Sequence, residues 1–212
     1  MHDIEQMIIS RDFSYDAPHF YNNDFALRCE LGIGETDEEY LTTAKKRAAA
    51  IFNILFENGV DMFFFDDYIQ DWDFDMGDTV YINHVISYEK NRLRFCLGYQ
   101  KKFKHKVVRD IHDIPDDRDA DTIIRRNRIC CYADKKFNAI DAINAQIDRQ
   151  DNPTIHLVSF VNNCIFTVYD DRGCDIVFYD KNKFRIFYPL LQKYFLEYDL
   201  DLMRQRFESS KN

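Results

Sequence analysis

Long apolar runs are absent from this sequence, and glycine and proline are scarce. The 212 residues include six glycines and four prolines, while 46% are hydrophobic and 16% are aromatic. Intrinsic disorder requires low hydrophobicity and few aromatic residues, so this composition predicts a packed globular protein. No run of about 18 apolar residues occurs, so we expect no membrane-spanning helix. The first residues, MHDIEQMIISRDF, contain early acids and no small-residue cleavage site, so we expect no secretory signal.

The cysteines also lack the regular spacing that is typical of a disulfide framework. Several cysteines stand in apolar runs such as RLRFCLGY and NRICCYA, where a reduced cysteine behaves as a small core residue. The histidines and cysteines show no metal-binding spacing either. We therefore expect free thiols, a reducing cytoplasmic setting and no cofactor. The six cysteines are Cys29, Cys96, Cys130, Cys131, Cys164 and Cys174.

Lysine and arginine are absent from the whole stretch between Arg47 and Lys90. Nine carboxylates lie in that stretch, from Glu57 to Glu89, and their summed charge equals the net charge of −9 of the whole chain. An acidic surface repels nucleic acid and anionic membranes, so we expect neither as a partner. A concentrated acidic field with aromatic side chains suits docking onto a basic protein. The predicted partner-binding residues are Asp66, Asp67, Tyr68, Asp71, Trp72, Asp73, Phe74, Asp75 and Asp78.

The carboxylates at 66–78 also allow an alternative function. The chain would then be a metal-dependent phosphoester hydrolase, because a few carboxylates suffice to hold magnesium. A calcium loop starting at Asp71 is not supported. Such a loop needs glycine at its sixth position and glutamate at its twelfth, where this chain has Met76 and Ile82. Residues 101–119 are basic and then acidic and include Pro115, which predicts a loop. The basic run at 101–109 also fits a nucleic-acid contact or an edge strand protected by lysines.

Hydrophobic periodicity predicts an α+β fold, in one domain over residues 1–212. Residues 25–31, FALRCEL, predict a strand, and Thr36 with Glu39 forms a capping box ahead of an amphipathic helix. Asn58 and Gly59 end that helix. Further strands are predicted at 60–65, 92–99 and 128–133, and a helix at 137–147. We expect a mixed, mostly antiparallel sheet covered by helices.

The C-terminal third has the clearest pattern. Strands at 154–161, 164–169 and 174–179 predict an antiparallel meander, followed by a helix that Asp180 caps. Asn162 and Asn163 in the first turn tolerate positive φ. The second turn has two interpretations, a structural one with capping, positive φ at its glycine and a local ion pair, and a contact with a ligand or partner. Its residues are Asp170, Asp171, Arg172, Gly173 and Asp175.

The segment FTVYDDRGCDIVFYDKNKFRIFYPLLQKYFLEYD resembles the bacterial family called domain of unknown function 3885. That family ends with a strand, a Tyr-Asp-Asp-Arg-Gly-x-Asp turn, a second strand and a helix, and the turn here runs from Tyr169 to Asp175. FALRCELGIG and RAAAIFNILF resemble the family's N-terminal strand and helix, and residues 153–207 are the most family-like part. The resemblance implies the family's fold and a bacterial cytoplasmic setting, and it transfers no catalytic residue.

In its general character, a small acidic chain of this kind also resembles immunity proteins of contact-dependent and other polymorphic toxin systems. Such proteins mask a cognate toxin, often a basic nuclease. We therefore expect a non-enzymatic protein-binding module. The acidic segment would steer a basic toxin domain by electrostatic attraction, and Trp72, Tyr68 and Phe74 would be buried in the interface.

Overall fold

One antiparallel sheet organises the fold of this chain. The structure is a computed structural model that describes residues 2–70, 98–100, 104–111, 123–148 and 154–211. Its strands are β1 Ala26–Glu30, β2 Met62–Gln70, β3 His105–Ile111, β4 Ile123–Tyr132, β5 His156–Ser159, β6 Cys164–Val168 and β7 Gly173–Phe178. The strand order is β1-β7-β6-β5-β2-β4-β3, and every neighbouring pair is antiparallel.

Helices pack on this sheet, as expected of an α+β protein. Within the described ranges they are α1 Asp3–Ile8, α2 Asp37–Leu55, α3 Ala139–Ile147, α4 Lys181–Leu191 and α5 Leu200–Ser210. Helix α2 contacts α3 and α4, while α5 contacts α4 and β1. The predicted meander followed by a helix is confirmed by β5, β6, β7 and α4. None of the helices in the described part of the chain is long and apolar enough to cross a membrane.

Local sequence signals set the ends of several elements. The hydroxyl of Thr36 caps α2 by accepting a hydrogen bond from the Glu39 amide at 3.2 Å. The Glu39 carboxylate accepts in return from the Glu35 amide at 3.2 Å, so the predicted capping box forms with its return bond one residue earlier. After the helix, Gly59 takes φ +86° and donates its amide to the Phe56 carbonyl at 2.8 Å. This left-handed conformation explains the glycine.

The two turns of the meander depend on different properties of their residues. Asn163 takes φ +50°, as predicted from the tolerance of asparagine for the left-handed region. Gly173 does not take positive φ, so the prediction for this glycine was wrong. A methyl group at Gly173 would instead lie 2.1 Å from Tyr169 Oη and 2.9 Å from the Cys29 carbonyl oxygen. Glycine is needed at this turn because there is no space for a side chain.

The middle of the chain differs most from the prediction. Strand β2 continues to Gln70 instead of ending at 65, because it pairs along its length with β4, which is itself longer than predicted. Strand β3 forms within the basic region that was predicted to be a loop, and it is the last strand in the sheet order among the described residues. A strand in this region was one of the predicted alternatives. Of the strand predicted at 92–99, Gly98 and Tyr99 are helical, and 92–97 lie outside the described residues.

A row of polar side chains crosses one face of the sheet. Arg28 lies opposite Asp175, Asp175 opposite Thr167, and Thr167 opposite His156 in the strand register. Directly opposite residues project from the same face of a sheet, so these four form one continuous row. On the opposite face of the same strands, Leu157 and Phe166 pack with helix α3. The N-terminal segment covers the polar row, as the contacts of Tyr15 described below show.

A buried ion pair joins β2 and β4 beside this row. Arg128 and Asp66 are cross-strand neighbours, and the guanidinium donates to both carboxylate oxygens at 2.7 Å. Their side chains are 2% and 4% exposed. Arg128 also donates to the carbonyls of Phe13 at 3.0 Å and Ile8 at 3.4 Å, and its guanidinium stacks on the rings of Phe13 and Phe64. The pair therefore ties the N-terminal segment to the sheet.

This pair generates a stability prediction. Arg128→Leu leaves the buried Asp66 carboxylate without a counter-charge, so we expect the free energy of unfolding to fall by about 3–5 kcal/mol. Adding Asp66→Leu removes the orphaned charge, so the double variant should regain about half of that loss or more. Urea unfolding followed by circular dichroism measures both values. A double variant as unstable as the sum of the two single variants would contradict this account.

The cysteines generate a chemical prediction. The five cysteines in the described part of the chain are free and buried, and burial raises the pKa of Cys130 and Cys164 to about 12. Cys96 lies outside the described residues. Since the thiolate is the reactive form, these five should react with a thiol reagent only after unfolding, and the denatured chain should show six reactive groups. Fewer than six in denaturant, without prior oxidation, would contradict the expectation of free thiols.

Candidate functional site

A cleft of about 600 Å³ opens at the β1 edge of the sheet, at the outer end of the polar row. Strand β1, the β6–β7 turn, the start of α2 and the N-terminal segment all contribute to it. Its polar walls are formed by Arg28, Glu30, Tyr40, Tyr169, Arg172 and Asp175. Pro18 and Leu196 add apolar surface, and His19 lies against the inner end. The cleft thus combines residues from the two ends of the chain.

The inner wall of the cleft is a buried ion pair between β1 and β7. Arg28 Nε donates to Asp175 Oδ1 at 2.8 Å, and Nη2 donates to Oδ2 at 3.0 Å. The same carboxylate accepts from the Phe20 amide at 3.0 Å. On its other side, Arg28 Nη1 lies 3.6 Å from Asp199 Oδ2, while Tyr21 Oη donates to Asp199 Oδ1 at 2.8 Å. Four separate chain segments meet at this pair.

Aromatic rings enclose the Arg28 guanidinium. Its central carbon lies 5.0 Å from the ring centre of Phe20, 4.8 Å from that of Tyr21 and 5.8 Å from that of Tyr169. Burial alone lowers the pKa of Arg28, but the hydrogen bonds and charge of Asp175 outweigh it and raise the pKa above its ordinary value. Arg28 is therefore a fixed cation, already neutralised by carboxylates.

The β6–β7 turn forms the outer wall. The Asp170 carboxylate accepts from the Arg172 amide at 2.8 Å and from Arg172 Nε at 2.7 Å, so it caps the turn and pairs with its arginine. This local ion pair is the one that the structural interpretation predicts for Arg172. Asp175 instead pairs with Arg28. Since Arg172 and Asp175 also line the cleft, the turn residues belong to a concave surface as well as to a turn.

Two tyrosines of the cleft lie directly over glycines. A methyl group at Gly32 would lie 2.0 Å from Tyr40 Cζ, and one at Gly173 would lie 2.1 Å from Tyr169 Oη. Each tyrosine side chain therefore occupies the space that a side chain at the glycine beneath it would fill. Burial raises the pKa of Tyr40, and the nearby carboxylates of Asp171, Asp170 and Glu30 raise it further. The hydroxyl of Tyr40 thus lies in an acidic environment.

A pair of buried histidines lies behind the cleft. His19 stacks on Tyr15 with ring centres 4.0 Å apart, and His156 meets His19 edge-on at 5.2 Å. His156 Nδ1 and Thr167 Oγ1 are 2.8 Å apart, and Tyr15 Oη lies 3.3 Å from the same hydroxyl. His19 Nδ1 is buried and has no hydrogen-bond partner among the residues described. Burial lowers the pKa of both histidines, and for His156 the charges of His19 and Arg128 lower it further.

The predicted acidic surface is only partly within the structure. Asp66 is the one predicted docking residue whose side chain is described, and its place in the buried pair with Arg128 removes it from any exposed surface. The backbone of Asp67 and Tyr68 continues β2, while their side chains lie outside the described part. Also outside it are Asp71, Trp72, Asp73, Phe74, Asp75 and Asp78. Among the residues described, no group of three or more potential ligands could hold a metal ion.

Sequence reasoning missed most of the cleft. Arg28, Glu30, Tyr40 and His19 come together only through the pairing of β1 with β7 and the return of the N-terminal segment. Arg28 and Asp175 are 147 residues apart in the chain, so no spacing pattern connects them. Tyr169 was within the predicted turn motif but was not selected. The single signal available was the unusual density of charged residues in that turn.

The fold and the cleft define an α+β protein with one antiparallel sheet and a polar cleft at its edge. The family described as Domain of unknown function (DUF3885) matches residues 6–199, so the chain belongs to this family. The match spans all residues that line the cleft. The family assignment based on the Tyr169–Asp175 motif is thus confirmed. No curated protein and no solved structure matches the chain.

The histidine pair generates a pH prediction. Because the folded-state pKa of His156 is lowered, the unfolded chain binds protons first as the pH falls below about 6.5. The stability that neutral His156 contributes is therefore present above that pH and lost below it, by up to about 1.4 kcal/mol per pH unit. His156→Asn, which keeps a polar group for Thr167, should show a shallower fall in the free energy of unfolding between pH 7 and 5. Identical pH slopes for variant and wild type would contradict this assignment.

Proposed function

We propose that this chain is a protein-binding module of the immunity type, which neutralises a cognate basic toxin, such as a nuclease, by masking it. The proposal is carried by the stretch between Arg47 and Lys90, where nine carboxylates from Glu57 to Glu89 have no lysine or arginine among them. Such a concentrated field attracts a basic domain and accelerates its association. A bacterial cytoplasmic setting and a non-enzymatic role belong to the same proposal.

Two of the described acids of this stretch, Asp61 and Asp66, have structural roles. Asp61 accepts a hydrogen bond from the Phe160 amide at 2.6 Å, and Asp66 binds Arg128. The proposed docking segment therefore starts after Asp66. Its first residues belong to the end of β2, which lies between β5 and β4 in the sheet and ends at Gln70. The rest of the segment follows Gln70 in the chain. The docking residues that we retain are Asp67, Tyr68, Asp71, Trp72, Asp73, Phe74, Asp75 and Asp78.

A metal-dependent phosphoester hydrolase is the weaker candidate. It requires carboxylates of the 66–78 stretch as ligands for a divalent ion. Asp66 already gives both of its oxygens to Arg128, so it is not available as such a ligand. No observation on the remaining carboxylates favours metal chemistry over docking, and we propose binding.

The proposal predicts distinct kinetic effects for charge and for aromatic contacts. The partner for the experiment is the C-terminal domain of a secreted toxin, to be sought among the products of the genes beside this one. Changing Asp71, Asp73 and Asp75 together to asparagine should slow association by roughly 10-fold or more, because these charges steer the encounter. Trp72→Ala should instead raise the dissociation rate, because the loss of a buried aromatic contact weakens the binding free energy by roughly 2 kcal/mol. Stopped-flow fluorescence or surface plasmon resonance measures both rates.

A matched control removes three exposed acids elsewhere, Glu38→Gln, Asp201→Asn and Glu208→Gln, and should leave the association rate nearly unchanged. Raising salt from 0.1 M to 1 M shortens the screening length from about 10 Å to about 3 Å, so it should slow the wild type more than the triple asparagine variant. If no toxin domain is encoded nearby, or if co-expression of this chain leaves the toxicity of that domain unchanged, the proposal is wrong.

A further inference from the structure

Counted together with the acids that contact its arginines, the cleft at the β1 edge has more negative than positive charge. Arg28 is bound by Asp175 and lies against Asp199, and Arg172 is bound by Asp170. Both arginines of the cleft are thus already neutralised by carboxylates. Arg47 also contacts β1, but its guanidinium donates to the backbone carbonyls of Glu30 and Tyr194, and Arg47 is not part of the cleft wall.

Glu30 is the carboxylate that remains. Glu30 lines the cleft and is half-buried, and its side-chain carboxylate makes no hydrogen bond or ion pair with the residues that the structure describes. Asp170 and Asp171 lie close enough to act, together with Glu30, on the hydroxyl of Tyr40. Since a partly buried carboxylate is stabilised by an opposite charge, the cleft favours a cationic ligand and disfavours an anion.

The walls of the cleft also suit a cation. Tyr40 and Tyr169 both line it, and each lies over a glycine that leaves space for the ring side chain. Tyrosine faces attract guanidinium and ammonium groups, and a planar guanidinium can stack on a ring while it donates two hydrogen bonds to a carboxylate. The volume of about 600 Å³ admits a complete arginine side chain.

We propose that this cleft binds the guanidinium group of an arginine on the basic partner, with Glu30 as the carboxylate that receives it and Tyr40 and Tyr169 as the flanking rings. The inference rests on the proposed function for its partner, but the cleft itself can be tested without a toxin. Long-range steering then belongs to the acidic segment, and the cleft holds one side chain in place once the proteins have met. Loss of Glu30 would therefore act mainly on dissociation.

The direct test is a titration of the isotope-labelled full-length chain, followed by nuclear magnetic resonance. The probes are N-acetyl-arginine amide, N-acetyl-lysine amide, the neutral N-acetyl-citrulline amide and inorganic phosphate. We expect the arginine derivative to shift backbone amides at 28–32 and 169–173, the lysine derivative to bind more weakly, and the other two to leave the amides unchanged. Equal effects of arginine and citrulline, or shifts caused by phosphate, would overturn the proposal.

Variants separate the cleft from a general effect of charge. Glu30→Gln should weaken binding of the arginine derivative about tenfold, the loss expected for one charge-assisted hydrogen bond. Glu208→Gln makes the same chemical change at an exposed site on α5 and should have no effect. Tyr40→Phe keeps the ring and should bind, whereas Tyr40→Leu should bind more weakly. Unchanged affinity in Glu30→Gln, with the fold confirmed by its amide spectrum, contradicts the proposal.

The outcomes also separate this inference from the proposed function. If the arginine derivative binds the cleft but the toxin domain does not bind the chain, the proposed function fails and the cation site stands. If the toxin domain binds and depends on Asp71, Asp73 and Asp75, yet Glu30→Gln leaves its dissociation rate unchanged, the cleft proposal fails and the docking proposal stands.

Discussion

The ion pair between Arg28 and Asp175 is the interaction on which the arrangement of this protein depends most. It joins the edge strand β1 to β7, receives the Phe20 amide of the N-terminal segment, and lies against Asp199 from the C-terminal segment. A buried carboxylate needs such a set of partners, because removing one leaves an uncompensated charge. The same pair closes the inner end of the cleft. Fold and candidate site are therefore built from one set of contacts.

Sequence reasoning succeeded where the cause was local. Thr36 and Asp180 cap helices through amides two or three residues away, and Asn163 turns the chain by its own φ. The C-terminal meander followed from alternation and short turns. Sequence reasoning failed where the cause was distant in the chain. Gly173 was expected to supply positive φ, but Tyr169 and the backbone of β1 determine the need for a glycine at that position.

The acidic residues of this chain have separate roles that composition alone cannot distinguish. Asp66 looked like the start of an exposed acidic surface, but the cross-strand register of β2 and β4 places it against Arg128, 62 residues away. Glu30 looked like an ordinary strand residue, but the turn of β6 and β7 encloses it in a cleft. Charge density thus led to the proposal of a basic partner, while strand pairing decides which of the described carboxylates are already bound within the fold.

The central claim is that this member of the DUF3885 family recognises a basic protein through the segment 67–78 and the cleft. Hydrogen–deuterium exchange of the chain, alone and in complex with a basic toxin domain, tests it most directly, because it locates the contact surface without any substitution. The account predicts slower exchange in the complex at 67–78, 28–32 and 169–173. Slower exchange confined to α4 and α5, with no change in those three segments, would contradict it.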